Sequence, residues 1–127
     1  MEFLHTNNAP SAIGPYSQAV KVNGMLYTSG QIALTPDGTM LENDIKIQTK
    51  QVLKNVKSIL DDNDSSMNQV IKVNIFLEDM NDFGIVNVIY AEAFGDHKPV
   101  RSTVAVRTLP KNALVEMDVI AVVTDYH

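Results

Sequence analysis

Apolar positions recur along the chain with two different periods, and the switches between them mark out the elements. "AVKV" (Ala19–Val22) and "MLYTSG" (Met25–Gly30) flank Asn23-Gly24. Asn-Gly between two apolar runs predicts a type I′ hairpin, since both residues tolerate positive φ. "TPDG" (Thr35–Gly38) is a second turn, with Pro36 presetting φ and Gly38 closing it. The period then becomes helical. Asp44 is the candidate N-cap, Ile45, Val52, Val56, Ile59 and Leu60 form a stripe, and "DDNDSS" ends the helix.

In "VIKVNIFLED", Ile71, Val73, Ile75 and Leu77 alternate with polar or aromatic neighbours, which predicts a strand with one buried face. A second helix is expected from about Asp79 to Phe94, with Phe83, Val86, Tyr90 and Phe94 on one stripe. Gly84 within it costs up to ~1 kcal/mol relative to alanine, which calls for compensating packing. "RSTVAVR", read as half-buried through Val104 and Val106, and "LVEMDVIAVV" (Leu114–Val123) complete the pattern as strands, joined by "TLPKNA". The order β-β-α-β-α-β-β predicts an α+β protein with two helices packed on one face of a mixed sheet. In the last strand Val115, Met117, Val119, Ala121 and Val123 share one face; Glu116, Asp118, Ile120, Val122 and Thr124 share the other. Both faces are substantially apolar, so a homo-oligomer closed through its sheets is expected.

At 127 residues the chain fits one domain spanning 1–127, and 45% hydrophobic against 20% charged residues is an ordinary globular balance. The absence of cysteine excludes disulfides, thiolate metal sites and a cysteine nucleophile. A formal charge of −5 argues against a nucleic-acid partner. No apolar run reaches the ~18 residues that span a bilayer, and "MEFLHTNNAP" lacks the regions of a signal peptide. The expectation is a cytoplasmic protein without membrane partners.

The candidate chemistry centres on Arg101, Glu116 and Asp118, charges set among apolar strand residues. Pairing of the two last strands would let Arg101 approach the face that carries both carboxylates. Such an arginine is costly to desolvate unless an anion meets its planar fork. Two readings follow: an internal Arg–Glu pair fixing strand register, or an arginine awaiting the carboxylate of a small ligand. His5, His97 and His127 lack metal-ligand spacing, so no metal is expected, and His97 in "GDHKP" reads as a solvated loop residue. Ser17, Ser29 and Ser102 have no adjacent histidine base. Tyr16 lies in the Gly-Pro turn of "GPYSQA", and Gly30 ends a strand where a ligand could approach the backbone.

"GPYSQA", "NGMLYTSGQI", "FLEDMNDFGIVNVIYAEAF", "KPVRSTVAV" and "LPKNALVEMDVIAV" occur in the order and spacing of the reactive-intermediate deaminase family, also called the YjgF or Rid (RidA) family. The chain resembles that family over essentially its whole length. Most specific are Pro99, Arg101 and Ser102, followed by Val115, Glu116 and Met117. The resemblance implies a chorismate-mutase-like fold and a homotrimer with a central β-barrel and three clefts between neighbouring subunits. It implies hydrolysis of small enamino and imino acids of the 2-aminoacrylate type to 2-keto acids and ammonia, without a cofactor. In that scheme Arg101 binds the substrate carboxylate, Glu116 positions the attacking water and Tyr16 walls the site. Gly30, Asn87 and Thr103 match cleft-lining positions. Many members have cysteine where this chain has Thr103, which removes any thiol role but keeps the backbone carbonyl. The resemblance also admits a non-catalytic ligand-sensing or protein-binding trimer.

Overall fold

The structure is a computed structural model that describes residues 1–124; of the candidate histidines, His127 lies outside the described residues. The elements run β1 (Glu2–Leu4), β2 (Ala19–Val22), β3 (Met25–Thr28), α1 (Ile45–Asp61), β4 (Val70–Leu77), α2 (Phe83–Phe94), β5 (Val100–Ala105) and β6 (Val115–Val122). The strands form one six-stranded mixed sheet in the order β1-β2-β3-β6-β4-β5. Among the described residues only β4 and β5 pair in parallel, connected through α2. Both helices cover one face, giving the α+β architecture that the sequence pattern predicts.

Local chemistry accounts for most boundaries. Asn23 and Gly24 have φ of 51° and 76°, as the I′ turn requires. The Asp44 side chain accepts from the Ile47 amide at 3.0 Å and caps α1. The core lies between helices and sheet, where Val52, Val56, Ile59 and Leu60 of α1 meet Val73, Ile75, Met117 and Val119. Each such side chain contributes about 1.5–3 kcal/mol by leaving water.

Several expectations are corrected. The N-terminus adds β1, which pairs antiparallel with β2 and buries only Leu4. Ile71 is 44% exposed, because a bulge between Val70 and Lys72 hands the buried position to Val70. The second helix starts at Phe83, not Asp79; a short 3₁₀ turn, Met80–Asp82, precedes it, with the Asp79 carboxylate accepting from the Asn81 amide. Gly84 has no packing reason within the protomer, since a Cβ there would touch nothing. Val104 is exposed rather than half-buried; on β5 the inward positions are Arg101 and Thr103.

The face away from the helices is open and largely apolar. Paired positions Phe3, Val20, Tyr27 and Ile120 cross it in a row, and Val100 and Val104 extend it at the β5 edge.

Candidate active site

The two last strands do not pair, contrary to expectation: β4 lies between them. Register then decides which side chains share a face. Arg101 and Val119 both pair with Val73, whose side chain is buried beneath the helices. Glu116 pairs with Phe76 and Asp118 with Asn74, on the open face. Arg101 and Glu116 of one chain therefore point to opposite sides of the sheet. Their strands are two spacings apart, about 10 Å, and their levels differ by about 10 Å along the strand. No internal Arg–Glu pair exists, and no carboxylate of the described residues bridges Arg101.

Around Arg101 the neighbours are neutral. Its Nη1 donates to Asn87 Oδ1 at 2.8 Å. Its guanidinium lies 4.8 Å from the Tyr90 ring centroid and 5.4 Å from that of Phe83. Helical spacing aligns Phe83, Asn87 and Tyr90 toward β5, and the rings hold the cation by cation–π attraction without neutralising it. Thr103 Oγ1 and Tyr90 Oη are buried without a hydrogen-bond partner. Burial raises the Tyr90 hydroxyl's pKa, an effect the Arg101 charge opposes. His97 is not a solvated loop residue: it is half-buried, with Nε2 donating to the Val70 carbonyl at 2.6 Å.

The other candidates gather elsewhere. Tyr16, Gly30 and Glu116 line one cleft of about 260 Å³, with Ile13, Ile32 and Lys111. Gln31 exchanges two backbone hydrogen bonds with Met117, at 2.8 and 3.0 Å, which clamps the Ser29–Gln31 loop to β6. Gly30 is thereby pressed on Glu116: a Cβ at position 30 would lie 2.7 Å from Glu116 Oε2. Glycine is needed here for contact, not for a special φ. No donor among the described residues reaches the Glu116 carboxylate within hydrogen-bond range. Burial, then repulsion from Asp118, raises its pKa. Asp118 itself accepts from Asn74 Nδ2 at 2.9 Å. Lys111 and Asn112 at the rim both have left-handed φ, 55° and 54°, a conformation that costs lysine roughly 1–2 kcal/mol.

Sequence reasoning missed the residues that build these walls. Buried Gln18 donates from Nε2 to the Thr6 and Pro10 carbonyls and accepts from the Thr6 amide, shaping the loop that leads to Tyr16. Asn55 on α1 donates to the Ile32 and Leu34 carbonyls, and Gln48 accepts from the Leu114 amide. The available signal was phase: Gln48 and Asn55 sit at i, i+7 with Val52 between them, polar residues inside an apolar stripe.

Comparison with known proteins places the chain in a family. The family described as Endoribonuclease L-PSP matches residues 6–123. A RutC family protein of Pyrococcus horikoshii is 50% identical over 121 residues, covering 94% of this chain and 96% of the relative. The chain belongs to the L-PSP, or Rid, family. A conserved Rid family protein of Yersinia pestis superposes with a TM-score of 0.94 at 51% identity, covering 96% of this chain and 98% of that one. Escherichia coli TdcF with bound serine gives 0.92 at 38% identity, over 98% and 100%. Rid membership fixes the fold as the one these relatives share, and it leaves the reaction to be argued from the clusters around Arg101 and Glu116.

Proposed function

We propose that the protein hydrolyses the C=N bond of small imino acids, releasing 2-keto acids and ammonia. The clefts form between protomers of a homotrimer closed through the open sheet faces. The observation that carries this reading is the placement of Arg101 and Glu116 on opposite faces of one sheet. A cation without a carboxylate partner and a desolvated carboxylate without a donor each lack half of a site. A neighbouring copy supplies the missing half. Serine bound in TdcF supports the ligand class, since it is a small molecule with a carboxylate and an amine.

In the assembled cleft Arg101 binds the substrate carboxylate by two parallel charge-assisted bonds. Asn87 and the rings of Tyr90 and Phe83 fix its orientation, which makes positioning a major part of the rate gain. Glu116 accepts a proton from water as that water adds to the protonated imine carbon, giving a carbinolamine. It then returns that proton to nitrogen; as the C–N bond breaks and ammonia leaves, the hydroxyl proton passes to the ionised Glu116 carboxylate, the C=O bond forms, and the proton departs with the ammonia as ammonium. A protonated imine carbon is electrophilic already, so no covalent nucleophile is required. Tyr16 walls the pocket, and Gly30 and Thr103 line it; an enamine must first be protonated at carbon.

Subunit mixing tests the shared cleft. Arg101→Ala and Glu116→Gln proteins should each be nearly inactive. After unfolding and joint refolding at equal amounts, about one quarter of clefts should pair an intact arginine with an intact glutamate, one half times one half. Keto-acid release, followed by coupled lactate dehydrogenase, should recover to about that fraction of wild type. No recovery in demonstrably mixed trimers would refute the shared cleft. The bound serine in TdcF also suits a ligand-sensing trimer without turnover. Wild-type protein that binds keto acids but leaves imine decay unaccelerated would establish that reading instead.

A further inference from the structure

The two helices form a second surface that the proposed chemistry leaves unused. α2, "FGIVNVIYAEAF", has only Asn87 and Glu92 as polar residues, the composition of a helix covered on all sides. Its inner side packs through Val86, Tyr90 and Phe94, yet Val88 is 59% and Ile85 38% exposed. These outward residues form one wall of a groove of about 350 Å³ between α2 and α1. Gly84 lies in that groove, and a Cβ there would meet nothing. A glycine in the first turn of a helix, with no intramolecular contact to explain it, leaves room for an incoming atom.

The opposite wall is basic. Lys46 and Lys50 line the groove, and Lys54 and Lys57 continue the same row at i+4 and i+3 spacing along α1. All four are exposed, and Lys46, Lys50 and Lys54 have no ion-pair partner among the described residues; Lys57 pairs with Asp61. Four aligned cations are notable in a chain of net charge −5. The groove lies on the helical layer, away from the open sheet face, so it stays accessible when that face is covered.

We propose that this groove receives an acidic amphipathic helix of a partner protein, its apolar side chains against Ile85 and Val88 and its carboxylates along the lysine row. Apolar anchors at i, i+3, i+4 and i+7 match a groove between two helices. Charge complementarity sets the sign of the partner and its orientation, with Glu92 on the far wall repelling acidic residues there. An anionic bilayer suits the site less: the apolar surface is concave, and the whole chain is acidic. RNA suits it less too, because the lysines border aliphatic side chains rather than stacking platforms. The proposal is independent of the deaminase reading.

The test uses the full-length protein and a fluorescently labelled synthetic helix with leucines at i, i+3, i+4 and i+7 flanked by glutamates. The controls are a peptide of the same composition with its leucines scattered, vesicles of phosphatidylglycerol and phosphatidylcholine, and single-stranded RNA. Saturable binding by anisotropy, weakened as salt rises and confined in amide shifts to residues 46–57 and 84–92, is expected. Val88→Glu and the double variant Lys46→Glu/Lys50→Glu should each weaken it about tenfold or more. Both changes are at the surface and should leave the melting temperature unchanged. Gly84→Ala should raise that temperature while weakening the peptide. No saturable binding, equal binding of the scattered control, preference for vesicles or RNA, or indifference to all three variants would overturn the proposal.

Discussion

The Arg101 region and the Glu116 region solve opposite electrostatic problems. Arg101 keeps its charge while losing its freedom: an amide oxygen and two ring faces orient it, and none of them cancels it. Glu116 is held by contact alone, pressed on Gly30 with no donor, and its ionised form is disfavoured. A fixed cation recognises; a desolvated carboxylate exchanges protons. On the proposed reading this difference makes Arg101 the binding group and Glu116 the reacting one, and substitutions on either side can break that contrast.

The largest effect is expected from Glu116→Gln. On the proposed reading the amide keeps the shape and loses the base, so kcat should fall about 10²–10⁴-fold while KM, governed there by Arg101, changes little. Stability should move the other way. The folded pKa of Glu116 lies above its ordinary value of 4.5. As pH rises through that window, the unfolded chain gives up its proton before the folded chain does, so stability declines and the full penalty remains above it. Where burial and Asp118 outweigh any cation that a neighbouring copy brings to the cleft, the variant should therefore melt above wild type at pH 7 and alongside it well below pH 4.5. Thermal melts at both pH values, beside steady-state kinetics, check this; an active variant, or one equally stable at neutral pH, would break the contrast.

Gly30→Ala comes next. The new Cβ would stand 2.7 Å from Glu116 Oε2, so the carboxylate must shift while Arg101 stays in place. A displacement on the order of 1 Å costs up to about 10²-fold in rate. The drop should appear in kcat, with keto-acid affinity retained in a binding titration. Equal losses in both would mean that the two halves are not separable in this way.

Periodicity made the secondary structure legible wherever an element had one wet side. The α1 stripe, the Asn23-Gly24 turn and the faces of β6 were all visible in the residues. β1 was not, because three residues with one buried side chain carry no period. β5 misled for a physical reason. It is an edge strand whose open face is itself apolar, so Val100 and Val104 mimic an inner face while Arg101 and Thr103 take the helical side. The candidate residues were legible as a set: Tyr16, Gly30 and Glu116 do meet, as do Arg101 and Asn87. Their division into two halves was not legible. It depends on β4 lying between β5 and β6, and strand order is fixed by long-range packing rather than by either strand.

The smallest and most diagnostic effect concerns Asp118, which shares the open face with Glu116 two residues away. Its contribution to Glu116 is second to burial, so its removal should tune the reaction without abolishing it. Asp118→Asn keeps the size and can still accept from Asn74 through its own amide oxygen. With the neighbouring charge gone, Glu116 ionises at lower pH. The acid limb of the kcat/KM profile should then shift to lower pH, leaving the plateau nearly unchanged. A structural role alone would lower the plateau and leave the limb where it was. The same substitution leaves the Asn87, Phe83 and Tyr90 cradle of Arg101 intact, so keto-acid affinity there should change little. A change in affinity without a shift of the limb would show that Asp118 acts on the bound anion rather than on Glu116, and the division of labour between binding and reaction would have to be abandoned.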